Sequence, residues 1–101
     1  MATILAACAN GAGSSLLMKM AVEKVVKELN MNVTKVTHSP ISEAKSIATQ
    51  FEMVFVPNTF LNMFEGAVKK GVHVIGLRNV MSAAEIKEKI IAEGLDKKFA
   101  K

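Results

Sequence analysis

Cys8-Ala9-Asn10-Gly11-Ala12-Gly13-Ser14-Ser15 divides two stretches of different character. Ahead of it, Ala2-Thr3-Ile4-Leu5-Ala6-Ala7 is short and almost wholly apolar, as suits a strand covered on both faces of a parallel sheet. Behind it, Leu16 to Leu29 reads as a helix. The spacing predicts an apolar stripe of Leu16, Leu17, Met20, Val25, Val26 and Leu29. Lys19, Glu23, Lys24, Lys27 and Glu28 make its wet side. The one cysteine therefore sits where a strand gives way to a loop that opens a helix. Such a loop holds backbone N–H groups without intrahelical partners at the positive end of the helix dipole. An anion can sit there, and a thiolate is stabilised there.

Working outward, strand and helix signals alternate. Asn30 and Asn32 can end the first helix, and Val33-Thr34-Lys35-Val36-Thr37 is an alternating β-branched run. His38-Ser39-Pro40 breaks it, and a short helical stretch runs from Ser42 to about Thr49. Met53-Val54-Phe55-Val56 is a third strand with Pro57-Asn58-Thr59 as its exit. Phe60 to Lys70 reads as a helix with Leu61, Phe64 and Val68 on one side, stopped by Gly71. Val72 to Leu77 is the fourth strand, left through Arg78-Asn79. Ser82-Ala83-Ala84-Glu85 matches a capping box, and Ile86, Ile90 and Ile91 line a last helix ending near Gly94. The lysine-rich tail from about residue 96 is expected to fray.

The expectation is one domain over residues 1–101 of the α/β class. It is three-layered, a four-stranded parallel sheet flanked by helices, Rossmann-like, with a phosphatase-like phosphate loop after the first strand. In open sheets of this kind ligands bind beyond the C-terminal strand ends, beside a topological switch point. Cys8–Ser15, Thr37–Ser39, Pro57–Thr59 and Arg78–Asn79 meet at that edge.

Composition narrows the function classes. The formal charge is +4, spread along the chain, and there is no Trp or Tyr. A basic face with stacking aromatics, as nucleic-acid binding wants, is missing, so no nucleic-acid partner is expected. No apolar run approaches the ~20 residues that span a bilayer. A single cysteine cannot form an intrachain disulfide, which fits a reducing cytoplasm.

The loop can be tested against known chemistry. Gly11-Ala12-Gly13 begins like a dinucleotide fingerprint, but the second strand ends in Thr37-His38, without an acid for a ribose hydroxyl. A Walker loop wants lysine after the glycine, and Ser14 stands there. Cysteine phosphatases place an arginine six residues after the cysteine, again Ser14 here, and need a general acid. The one aspartate is Asp96, in the tail. The loop can bind phosphate and offer sulfur, yet is ill equipped for fast hydrolysis. A carrier fits better, because a thiolate leaves phosphorus more readily than an alkoxide does. Gly11 and Gly13 let the backbone close on the oxygens, and Ser14 and Ser15 add hydroxyls.

Residues 4 to 15, Ile-Leu-Ala-Ala-Cys-Ala-Asn-Gly-Ala-Gly-Ser-Ser, resemble the phosphocysteine loop of IIB components of the bacterial sugar phosphotransferase system, the ascorbate-type group above all. Leu16-Leu17-Met18-Lys19-Met20 and Val74-Ile75-Gly76-Leu77-Arg78-Asn79 share the likeness, which covers most of the chain. The resemblance implies a cytoplasmic phosphotransferase subunit. Cys8 would take a phosphoryl group from a phosphohistidine of a IIA protein and pass it to a sugar held by a IIC membrane transporter. Ala9, Asn10, Gly11, Ala12, Gly13, Ser14 and Ser15 would cradle the phosphate. The implied sugar is L-ascorbate, with galactitol or another sugar as the alternative. Contact with the membrane would come only through IIC, and no cofactor or metal is implied.

Other readings stand beside this one. A cysteine phosphatase of low activity and a phosphate-sensing module use the same loop. Arg78 can reach the phosphate or lie on the surface; Asn58 and Thr59 can bind ligand or cap the next helix. His73, inside a strand, reads as structural, and nothing brings His38 to Cys8. Met18, Met20, Met53 and Met63 read as core or interface filler.

Overall fold

The computed structural model describes residues 2–8, 12–79 and 82–100, with residues 12–15 as backbone only. Four parallel strands form one sheet: β1 Ala2–Cys8, β2 Val33–Pro40, β3 Met53–Pro57 and β4 His73–Leu77, in the order β2-β1-β3-β4. The helices between and after them are α1 Ala12–Glu28, α2 Ile41–Ile47, α3 Glu65–Lys69, α4 Ala83–Ala92 and α5 Leu95–Lys98. The expected sheet and its flanking helical layers are therefore present.

β1 is the middle of the molecule. All its residues but Thr3 are buried, because both edges are paired and both faces covered. Ala2, Ile4 and Ala6 join Met53, Phe55, Ile75 and Leu77 in a core under α1, α4 and α5. Leu5, Ala7, Val54 and Val56 point the other way, under α2 and α3. The period-two alternation of the strands thus feeds two cores rather than one core and solvent.

The phase of α1 differs from the expected stripe. Met18, Val22, Val25 and Val26 are buried, with Leu29 packed beside them. Leu16, Leu17 and Met20 are 42%, 48% and 56% exposed. At 3.6 residues per turn these three fall on the side opposite Met18 and Val22. From Leu16 to Val22 every residue but Lys19 is apolar, so two stripes competed, and the one continuous with Val25, Val26 and Leu29 faces the core. Asn30 then takes a left-handed conformation, φ 55°. Its N–H donates to Lys27 O and that of Met31 to Val26 O, the paired bonds of a Schellman stop.

Four other expectations change. β2 does not break at His38-Ser39-Pro40 but runs on to Pro40, with these three paired to Ala6, Ala7 and Cys8. The segment after β3 begins as a 3-10 helix over Asn58–Phe64 and becomes α-helical only at Glu65. A three-residue turn does not keep an α-helical stripe in phase, so Phe64 and Ala67 are buried while Leu61 and Val68 are exposed. Ile91 likewise leaves the buried line of Ile86 and Ile90. The tail does not fray at residue 96. Gly94, φ 71°, turns the chain into α5, and Leu95 and Phe99, four apart, enter the larger core. Phe99 O accepts from Asn32 N–H, Ala100 bridges Met31, and the Phe99 ring stands edge-on to His73.

Phe99→Ala should therefore cost about 3 kcal/mol of unfolding free energy, as for other truncated core phenylalanines. A urea titration followed by circular dichroism measures it; a frayed tail would give no change.

Candidate functional site

Cys8 is the last residue of β1 and is 7% exposed. It pairs with Pro40, the last residue of β2. On its other side β1 pairs with β3, whose last residue is Pro57. The chain leaves β1 toward β2 across one face, then returns across the other face to β3 on the far side of β1. Cys8 thus stands at the switch point of the sheet, at its C-terminal edge, where such folds take ligands.

Of the expected cradle, Ala9, Asn10 and Gly11 lie outside the described residues, and Ala12, Gly13, Ser14 and Ser15 form the first turn of α1. The backbone N–H groups of that turn have no intrahelical carbonyl to meet. α1 is long enough, at 17 residues, for its dipole to favour an anion at this end. Asn58 and Thr59 open the 3-10 helix immediately beyond β3 and so reach the same edge. Arg78 follows β4, two strands from Cys8, and is exposed. His38, which pairs with Ala6, is on β2.

The groups read as outside the site lie away from this edge. His73 begins β4, at the other end of the sheet, where Lys98 Nζ donates to its Nε2 at 2.9 Å. Asp96 lies in α5, beside the segment that precedes β2. Neither can serve chemistry at Cys8. Thr37 Oγ1 and Ser39 Oγ are buried on β2 without a hydrogen-bond partner among the described residues.

At two residues of this edge the structure goes beyond the sequence reading. One is Gly76. A Cβ there would overlap Asn58 Oδ1 and come within 2.6 Å of Leu61 Cδ1. The missing side chain is what lets the turn carrying Asn58 lie against β4. A glycine inside a strand pattern is the available signal for such a close approach. The other is Glu85. Ser82 Oγ accepts from Glu85 N–H at 3.2 Å, as a capping box requires. The carboxylate does not return the bond to Ser82. Its two oxygens accept from Arg78 N–H at 2.8 Å and Asn79 N–H at 2.9 Å, while Ser82 N–H donates to Asn79 O. Glu85 therefore ties the exit of β4 to the start of α4. The bonds from the Arg78 and Asn79 N–H groups hold its carboxyl below the ordinary value, against burial, which pushes it up, and with smaller help from the charges of Lys89 and Arg78.

No group of three or more metal-ligating side chains, and no helix long and apolar enough to cross a membrane, occurs among the described residues.

Comparison with known proteins places this architecture. Residues 3–92 match the profile of the family described as the PTS system, lactose/cellobiose-specific IIB subunit. The ascorbate-specific PTS system EIIB components of Salmonella typhimurium and Shigella flexneri are each 32% identical over 88 residues, 87% of this chain and 84% of the relative. Among solved structures, the lactose-specific IIB component domain of the phosphoenolpyruvate:carbohydrate phosphotransferase system from Streptococcus pneumoniae has a TM-score of 0.68. It is 12% identical, and the match covers 90% of this chain and 95% of that one, a likeness of fold.

Two predictions follow from the edge. Gly76→Ala should cost about 1–2 kcal/mol through overpacking and displace Asn58, read as a shift of the Asn58 side-chain amide resonances. Because the Glu85 carboxyl is depressed when folded, its contribution is complete above the ordinary value of 4.5 and is lost as pH falls through the folded value. Urea midpoints measured from pH 6 to pH 3 should fall less steeply for Glu85→Gln than for the wild type in that window.

Proposed function

The chain belongs to the lactose/cellobiose-specific IIB family of phosphotransferase-system subunits, and we propose that it carries a phosphoryl group on Cys8 between a donor protein and a sugar. The observation that supports this most is the place of Cys8. It ends the central strand at the switch point, four residues before α1 begins.

The donor is a IIA component bearing a phosphohistidine. The Cys8 thiolate attacks phosphorus; the P–S bond forms, the P–N bond breaks, and the departing imidazole takes up the proton the thiol released. In the second step a hydroxyl of the sugar, bound by the IIC membrane transporter, attacks the same phosphorus. The P–O bond forms, the P–S bond breaks, and the hydroxyl proton returns to the sulfur through solvent. The backbone N–H groups of residues 9–15, with the Asn10, Ser14 and Ser15 side chains, balance the charge of about −2 that the phosphothiol brings. Asn58 and Thr59, at the same sheet edge, and Arg78, two strands from Cys8, are its candidate second ring. The protein needs no cofactor and works in the cytoplasm, meeting the membrane only through IIC.

Several features favour holding the group over hydrolysing it. Ser14 takes the place of a clamping arginine. Asp96 is at the opposite end of the sheet, and both Glu85 oxygens already accept backbone N–H groups. The sugar is L-ascorbate, following the ascorbate specificity that the relatives at 32% identity carry in their names.

Incubation with phosphoenolpyruvate, the general donor proteins and the matching IIA should add one phosphoryl group to the wild type by intact mass. Cys8→Ser should pass no phosphoryl group to sugar. A wild type left unmodified by its matching IIA would overturn the carrier reading, and rapid release of free phosphate would favour a phosphatase.

A further inference from the structure

A carboxylate close to an arginine ordinarily takes its guanidinium, as a two-pronged ion pair. Glu85 takes the backbone instead. Its two oxygens accept from Arg78 N–H at 2.8 Å and Asn79 N–H at 2.9 Å. Its own N–H donates to Ser82 Oγ, and Ser82 N–H donates to Asn79 O, so the carboxylate is anchored to the turn it holds. The Arg78 side chain is left over. It is exposed, and the one ion pair among the described residues joins Lys87 to Glu28. In the β1–β3 register Ala6 pairs with Phe55; two residues on, Cys8 is level with Pro57, which pairs with Leu77. Arg78 is therefore one residue past the level of Cys8 and two strand spacings from it, about 10 Å. The exit of β3 between them, Asn58 and Thr59, carries no charge. Among the described residues within two positions of the C-terminal end of any strand, Arg78 is the only lysine or arginine.

We propose that Glu85 is a positioning residue for the carried phosphoryl group: by fixing the backbone at Arg78 and Asn79 it holds the Arg78 guanidinium toward the phosphothiol on Cys8. This rests on the carrier reading above. Backbone N–H groups bring only partial charges to a group that carries about −2. A full positive charge answers the remainder, and a guanidinium meets phosphate oxygens with paired donors. The long arginine side chain and the S-phosphate close the gap along the sheet edge from its two ends. An arginine on an untethered loop would give up backbone freedom when it met the group. The Glu85 tie removes that cost in advance. Because its oxygens are engaged by the two N–H groups, the carboxylate does not compete with the phosphoryl oxygens for the guanidinium.

The test is the equilibrium of phosphoryl transfer between the matching IIA and Cys8, read by intact mass, together with the phosphorus resonance of the phosphothiol. Arg78→Gln should lower the equilibrium constant about tenfold and move the resonance. Arg78→Lys, which keeps the charge, should recover part of the loss. Glu85→Gln should lower the constant about threefold and move the resonance in the same direction. Both changes together should be no worse than Arg78→Gln alone, because the two residues act as one unit. Glu88→Gln, the same change of charge on the exposed side of α4, should leave both readings as in the wild type. Arg78 and Glu88 are exposed and Glu85 is half-buried, so the variants keep the fold. A labelled wild type whose equilibrium and resonance are unaltered by Arg78→Gln overturns the proposal and leaves the carrier reading intact. So does an altered Arg78→Gln beside an unaltered Glu85→Gln, or a pair of losses that simply add. An unlabelled wild type removes both.

Discussion

The reversal of chain direction across β1 is the constraint on which the rest of this structure depends. The chain moves from β1 to β2, then passes back over β1 to reach β3. A constant crossover hand puts the two connections on opposite faces, and they are found there, α1 on one and α2 on the other. The strand between them is sealed on both faces and both edges, which is why its sequence is nearly all apolar. At its C-terminal end the two connections leave in opposite directions. A cysteine there is anchored by a rigid strand, and the helix that follows offers its N-terminal donors to the same point.

The packing that fixes α1 on the sheet also decides what the protein shows to others. Met18, Val22 and Val25 fill the space above Ile4 and Ala6, and a helix has only one buried side. Everything apolar outside that side must stay in solvent or be covered by another molecule. Leu16, Leu17 and Met20 are in that position, whereas the later turns carry charge. Burial of the core and exposure near Cys8 are thus one geometric decision.

The strands were legible because each is a short apolar or β-branched run bounded by Asn, Pro or Gly, and the parallel order follows from the helices between them. The helix phases were less so. Where apolar residues occur on all sides of the first turns of α1, periodicity admits two stripes, and only the sheet beneath chooses. The 3-10 start of the segment after β3 was invisible for a related reason: its apolar residues Phe60, Leu61, Met63 and Phe64 recur at spacings of three and four that fit either pitch. Cys8 and its following turn were legible as a strand-to-helix junction, since cysteine, glycines and serines together have few other uses. The reach of Glu85 to Arg78 and Asn79 was not, because it depends on a loop closing through Ser82 and Asn79 rather than on local spacing.

The two ends of the sheet carry different duties. At the N-terminal edge, α5 folds Phe99 under His73 and the β2 entrance, and Lys98 donates to His73 Nε2. Leu95 and Phe99 complete a core that α1 and α4 leave open there. At the C-terminal edge the loops are held by short-range devices instead. Gly76 admits Asn58, and Glu85 ties down Arg78 and Asn79. These fix backbone positions at the exits of β3 and β4. Cys8 itself ends the central strand, while α5 packs at the opposite edge. The C-terminal residues, which look like a dispensable basic tail in the sequence, thus stabilise the edge opposite Cys8.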